Sequence, residues 1–144
     1  MLFTPLTENQ ISALGILAVA SVGDSVYDLM VRVKLCAEGV ARAEEVHNKR
    51  VEYVNARTQA KAARTLVPLL SPEEAGIFRR GRNAQTGSVP PSASKAEYQA
   101  ATALEALFGW LCLSGRDDRL RELFAYTQGA SAQKADRGAA NEDE

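Results

Sequence analysis

Residues 101–113, "ATALEALFGWLCL", are apolar at nearly every position, and Glu105 alone among them carries a charge. An unbroken apolar run of this length, without strand-like alternation, reads as a helix buried on most of its sides. Such a helix belongs at the centre of a bundle, so the remaining chain has to supply the helices that cover it. Residues 19–32, "VASVGDSVYDLMVR", repeat the pattern: Asp24 follows Gly23 inside another apolar run. An unpaired buried charge costs on the order of several kcal/mol, a large part of a domain's net stability. Something must compensate each carboxylate.

Helix punctuation recurs outside these two stretches. In "LTENQI", Thr7 and Gln10 are spaced as a capping box and Leu6 and Ile11 as a hydrophobic staple. The pattern predicts a first long helix from about Glu8 to Ala37, with a break near Gly15 and a stop at Gly39. "ARAEEVHNKR" and "VEYVNARTQAKAARTL" read as further helical stretches, with Val51, Val54, Ala62 and Leu66 at helical spacings. Whether they join is open at this level. Ser71, Pro72 and Glu74 start a compact helix that ends on Arg79 and Arg80 before Gly81. After a Gly- and Pro-rich loop, Ser94 and Glu97 cap a helix from about Lys95 to Leu113, and "GRDDRLRELFAYTQG" forms a last one with Leu120, Leu123 and Phe124 on one face. No strand pattern or internal repeat is present, which makes the fold all-α. Residues 1–128 read as one domain and 129–144 as a flexible polar tail.

With 144 residues the chain holds one domain and leaves no room for a second catalytic one. Its net charge of -1 gives no bulk attraction to nucleic acid or anionic membrane. The distribution differs from the total: between residues 42 and 82 there are nine bases against five acids. Cys36 and Cys112 lack metal-ligand spacing and read as reduced core fillers in a cytoplasmic protein. Arg32 is the first cationic side chain, so no basic leader precedes the first apolar run. That run is too short to span a bilayer, and no membrane association is expected.

Small residues surround both intruding carboxylates: Ala18, Ala20 and Gly23 near Asp24, and Thr102, Ala106 and Gly109 near Glu105. Small side chains let helix backbones approach closely, so the two segments can cross with their carboxylates converging. Two readings then stand side by side. Each carboxylate pairs with an arginine or caps a neighbouring helix, or both share a hard cation such as Mg2+. Asp28, four residues before Arg32, has the spacing of an ordinary ion pair. "FRRGRNAQTG" places three arginines beside glycine and amide side chains, a composition suited to gripping phosphate oxygens and equally to a solvated loop. His47 is the only histidine, so it cannot serve as both acid and base of a metal-free ribonuclease. It reads as a packing or RNA-contacting residue. P-loop, GxSxG, HExxH and GxGxxG patterns are absent.

In their order and spacing, "VGDSVYDLMVR", "HNKR", "FRRGRNAQTG" and "ATALEALFGWL" resemble the Mini-III branch of the ribonuclease III family, a catalytic domain without a double-stranded-RNA-binding domain. The likeness spans about residues 9 to 128. It implies an all-helical, single-domain endoribonuclease fold, a homodimer, and Mg2+-dependent cleavage of double-stranded RNA to 5′-phosphate and 3′-hydroxyl ends. It also implies maturation of the 23S ribosomal RNA precursor.

By position, Asp24 matches the aspartate of the family's "LGDA" signature and Glu105 the glutamate of its "FEA" motif, with Ser25 and Leu104 as departures. The resemblance makes these two the catalytic Mg2+ ligands. Ala20 and Thr102 stand where full-length ribonuclease III carries two further carboxylates, a loss shared with the Mini-III branch that puts tight binding of a second metal in doubt. His47, Lys49, Arg50, Arg79, Arg80, Arg82, Asn83, Gln85, Thr86 and Lys95 would contact phosphates or 2′-hydroxyls. Two rivals remain, a non-catalytic helical RNA-binding or ribosome-associated protein and a helical protein-interaction module.

Overall fold

The structure, a computed structural model, describes residues 2–84 and 93–129. Seven α-helices and one 3-10 turn make up their regular structure: α1 (Glu8–Ser12), α2 (Ile16–Ala37), α3 (Ala43–Val54), α4 (Ala56–Leu66), the turn Val67–Leu69, α5 (Pro72–Arg82), α6 (Lys95–Leu113) and α7 (Asp117–Thr127). The all-α expectation holds across them. None of these helices is long and apolar enough to cross a membrane.

The three capping boxes form at Thr7/Gln10, Ser71/Glu74 and Ser94/Glu97, each satisfying two otherwise unpaired backbone N–H groups. The break expected near Gly15 is present and divides the first long helix in two: the chain turns at residues 13–15 and Gly15 becomes the N-cap of α2. α3 and α4 do not join either. Asn55 takes an extended conformation between them, and its side chain accepts from the Thr58 N–H at 2.9 Å to start α4. Gly39, at φ +93°, occurs just beyond α2, where a left-handed residue ends a helix cheaply.

α6 is the axis of the fold. Every residue from Ala101 to Leu111 is buried except Glu105, which is half-buried. α2, α4 and α5 pack directly on α6, and α7 closes the remaining side. α2 contributes Tyr27, Val31 and Leu35 to the core, and the Tyr27 ring lies 5.2 Å from Phe108 and 5.6 Å from Phe124. Helix phase overrides composition at two expected core positions. Leu35 takes the inward place and leaves Cys36 exposed, whereas Val51 is 50% exposed because Val54 and Val46 carry the inner face of α3. Cys112 packs half-buried against the core.

The start of α5 is tied to α7 by a buried ion pair. Glu74, only 3% exposed, accepts from Arg119 Nε and Nη2, both at 2.9 Å, and from the Ser71 N–H at 2.8 Å. Arg119 holds the Glu74 carboxyl below its usual range, against burial, which pushes it up. Stability from this group is therefore present above the ordinary glutamate pKa and is lost as pH falls through the lowered one. Arg119→Ala, which strands the carboxylate, is expected to cost about 3 kcal/mol at neutral pH. Urea unfolding should show the deficit shrinking as Glu74 protonates at acid pH.

Candidate active site

α2 and α6 touch backbone to backbone. A Cβ built on Gly23 would lie 1.6 Å from the Glu105 carbonyl oxygen, and one on Gly109 would lie 1.9 Å from the Val19 carbonyl oxygen. No side chain larger than hydrogen fits at either place, which is the physical reason for glycine inside two otherwise strong helices. Asp24 is the next residue after Gly23, and Glu105 is the residue that Gly23 touches. The crossing itself brings the two carboxylates together.

Asp24 is exposed and Glu105 half-buried. Neither has a hydrogen bond or ion pair among the described residues, so the arginine-partner reading finds no support there. Desolvation, and secondarily the negative charge of Asp24, push the Glu105 carboxyl up from 4.5 to about 8. Among the described residues no third histidine, cysteine or carboxylate joins them in a metal-sized cluster. Ala20 and Thr102 are buried, and the Thr102 hydroxyl donates back to the Tyr98 carbonyl at 3.0 Å.

A second close contact brings the end of α5 onto α6. Gly81 does not stop α5, which continues through Arg82. Instead it seats α5 on α6: a Cβ there would lie 2.7 Å from Ala106 Cβ and 3.0 Å from Ala103 Cα. The last turn of α5 thus abuts the segment of α6 that carries Glu105. Arg79, Arg80, Arg82 and Asn83 are all exposed in or next to that turn, with Arg82 Nε 3.4 Å from Asn83 Oδ1. Lys95 is exposed at the start of α6, whereas Gln85 and Thr86 lie outside the described residues. Arg57 and Arg64 of α4, absent from the sequence-based set of contacts, sit near enough to Glu97 to help lower its carboxyl pKa, although the Ser94 N–H and hydroxyl do more.

α3 supplies the remaining cations. His47 and Lys49 are exposed. Arg50 is half-buried and already engaged, its Nη1 donating to Asp28 Oδ1 at 2.8 Å while Arg32 Nε donates to Oδ2 at 2.8 Å. Asp28, one turn after Asp24, thus makes the pair expected with Arg32 and adds a second, between helices. Burial raises its carboxyl pKa, but the two arginines outweigh that and hold it below the ordinary value.

Comparisons with known proteins give the family. The model of the ribonuclease III domain matches residues 17–116, a span that contains both carboxylates. The Mini-ribonuclease 3 of Brevibacillus brevis is 40% identical over 119 residues, covering 80% of this chain and 89% of the relative. That of Symbiobacterium thermophilum is 41% identical over 107 residues, covering 74% and 82%. A crystal structure of a protein from Fusobacterium nucleatum superimposes with a TM-score of 0.71 at 26% identity, covering 81% of this chain and 93% of that one. With the family model spanning the helix crossing and close relatives along most of the chain, this protein belongs to the ribonuclease III family, in its Mini-III branch, and is an endoribonuclease.

Proposed function

We propose that this endoribonuclease cleaves double-stranded RNA with Mg2+ at Asp24 and Glu105, leaving 5′-phosphate and 3′-hydroxyl ends, and that it matures the 23S ribosomal RNA precursor in the cytoplasm. The observation that carries the reading is the meeting of two unpartnered carboxylates at a glycine crossing, next to an arginine-rich helix end. The pair fits a hard divalent cation: both donors are oxygen, neither is neutralised by a described cation, and Glu105 resists ionising without one. When bound, such an ion supplies Lewis-acid charge beside the scissile phosphate, which acidifies water and offsets charge in the transition state.

The protein's own residues orient the substrate. Arg79, Arg80, Arg82 and Asn83, with Gln85, Thr86 and Lys95, would hold phosphates and 2′-hydroxyls, and His47, Lys49 and Arg50 would extend the contact along α3. Arg50 can do so only through the N–H groups that Asp28 leaves free. A-form RNA hides its major-groove base edges, so these contacts read shape more than sequence and weaken with salt.

The test is cleavage of a duplex and of its separated strands by purified protein, with Mg2+ and with EDTA. Duplex-selective, metal-dependent cutting with phosphate on the 5′ end is expected. Equal cutting of single strands, or cutting that EDTA leaves intact, overturns the reading, and retention of duplex without cutting favours the non-catalytic RNA-binding alternative. Accumulation of unprocessed 23S precursor in cells lacking the protein tests the substrate.

A duplex offers two antiparallel strands, and a two-fold enzyme presents one site to each. The interface we favour is the apolar stripe of α2, where Val22 and Val26 are half-buried and Leu29 and Val33 are 47% and 59% exposed, beside the exposed Phe3. Leu29→Glu is expected to turn a dimer into a folded monomer with most duplex cleavage lost. Light scattering and circular dichroism check it, and an unchanged mass sinks this choice of interface.

A further inference from the structure

A cavity of about 580 Å³ lies between α2, α3, α4 and the C-terminal end of α7, on residues the cleavage reading does not use. Its volume is in the range of pockets that hold small organic ligands, roughly 300–1,000 Å³. Lys34 of α2 and Lys61 of α4 both line it, and no lining residue is acidic. Glu38 bonds Lys34 from outside that lining.

Lys34 already meets an aromatic face. Lys34 Nζ lies 4.9 Å from the centroid of the Tyr53 ring and 3.5 Å from its hydroxyl, and Tyr126 lines the same cavity from α7. Part of the wall is already ordered: Gln128 Nε2 donates to Thr127 Oγ1 at 3.0 Å, and the Thr127 hydroxyl donates to the Phe124 carbonyl at 2.6 Å. Tyr27, 1% exposed, lies behind them, its side chain hydrogen-bonded to Thr127 and Gln128. Ammonium groups suit a phosphate, tyrosine faces suit a planar base, and hydroxyl and amide groups suit a ribose or a base edge.

We propose that this cavity binds a nucleoside monophosphate unit, free or at the unpaired end of an RNA strand, with Lys34 and Lys61 at the phosphate and Tyr53 or Tyr126 against the base. The unit has all three chemical parts that the lining provides for. The inference does not depend on Mg2+ or on the carboxylate pair.

Titration of the full chain with each of the four ribonucleoside 5′-monophosphates, followed by heteronuclear NMR, tests it. Saturable shifts at Lys34, Tyr53 and Tyr126 are expected, with adenosine and inorganic phosphate each binding more weakly than the nucleotide. Lys34→Met and Lys61→Met should each weaken binding about tenfold, the loss of one charge-assisted contact. Tyr53→Leu should do likewise while the circular dichroism spectrum stays that of the parent. Arg121→Ala, outside both the lining and the RNA-contacting set, should leave the affinity unchanged. Competition by an RNA with one unpaired terminal nucleotide, and not by its blunt counterpart, assigns the source to the strand end; competition by neither assigns it to the free nucleotide. Absence of saturable shifts overturns the proposal. So does binding that ignores both lysine substitutions and falls with Arg82→Ala, or inorganic phosphate binding as tightly as the nucleotide.

Discussion

Gly23→Ala is expected to cost the protein at least about 3 kcal/mol and to abolish cleavage, because the added carbon has to displace backbone and not a movable side chain. Its nearest neighbours would be the Glu105 carbonyl oxygen at 1.6 Å, the Glu105 carbonyl carbon at 2.5 Å and the Gly109 nitrogen at 2.7 Å. Only a shift of α2 away from α6 relieves that contact, and the shift opens the core where Val19, Tyr27, Leu104 and Phe108 pack. Alanine's better helix propensity, worth about 1 kcal/mol over glycine, offsets part of the loss. Gly76→Ala supplies the internal comparison. Gly76 also lies within a helix, α5, but a Cβ there meets nothing within 4 Å, so that variant should gain up to about 1 kcal/mol. Urea midpoints measured side by side decide the matter. If the two substitutions shift the midpoint alike, the backbone contact does not hold the crossing together.

Glu105→Gln should abolish cleavage and at the same time stabilise the metal-free protein. The Glu105 pKa rises on folding from 4.5 to about 8, so the folded state resists the ionisation that the unfolded chain undergoes freely. Stability contributed by the protonated group is full below the unfolded pKa and is lost progressively as pH climbs to the folded one. Ionising Glu105 in the fold costs on the order of 4–5 kcal/mol, and glutamine, a neutral near-isostere, avoids that cost. In EDTA the variant should therefore match the parent near pH 4.5 and exceed it by a few kcal/mol at pH 8 to 9. Asp24→Asn should also lose cleavage, but it removes the like charge beside Glu105, so the loss of stability still begins near the unfolded pKa, ends at a lower pH than in the parent and is smaller in total, without the slope being erased. Denaturant titrations across that range check both variants. A Glu105→Gln curve parallel to the parent's would show the carboxyl ionising unhindered, and the pairing at the crossing would then be wrong.

Much of the architecture is legible because local chemistry dictates it. Thr7, Ser71 and Ser94 each precede Gln or Glu by three residues, and all three capping boxes form where that spacing places them. The apolar run of α6 identifies the central helix, and the small residues beside Asp24 and Glu105 anticipate a close crossing. Positions whose role is set by a neighbouring helix are harder to read. Gly81 has the appearance of a helix stop after two arginines, yet its lack of a side chain serves contact with Ala103 and Ala106. Arg50 carries the composition of a phosphate contact and is already bound to Asp28, a partner 22 residues away on another helix. Cys36 and Val51 look like core by residue type and are exposed by helix phase.

By itself the chain's order of residues determined the helical class, the ends of the capped helices and the two carboxylates that have no business in apolar runs, since each follows from spacing within a few residues. Only the tertiary structure decided that those carboxylates meet, that the arginine-bearing last turn of α5 packs on the α6 segment that carries Glu105 and that Arg50 is engaged elsewhere. Helix crossings depend on which surfaces two distant segments press together, and hydrogen-sized gaps such as those at Gly23 and Gly109 acquire meaning only when the opposing backbone is in place.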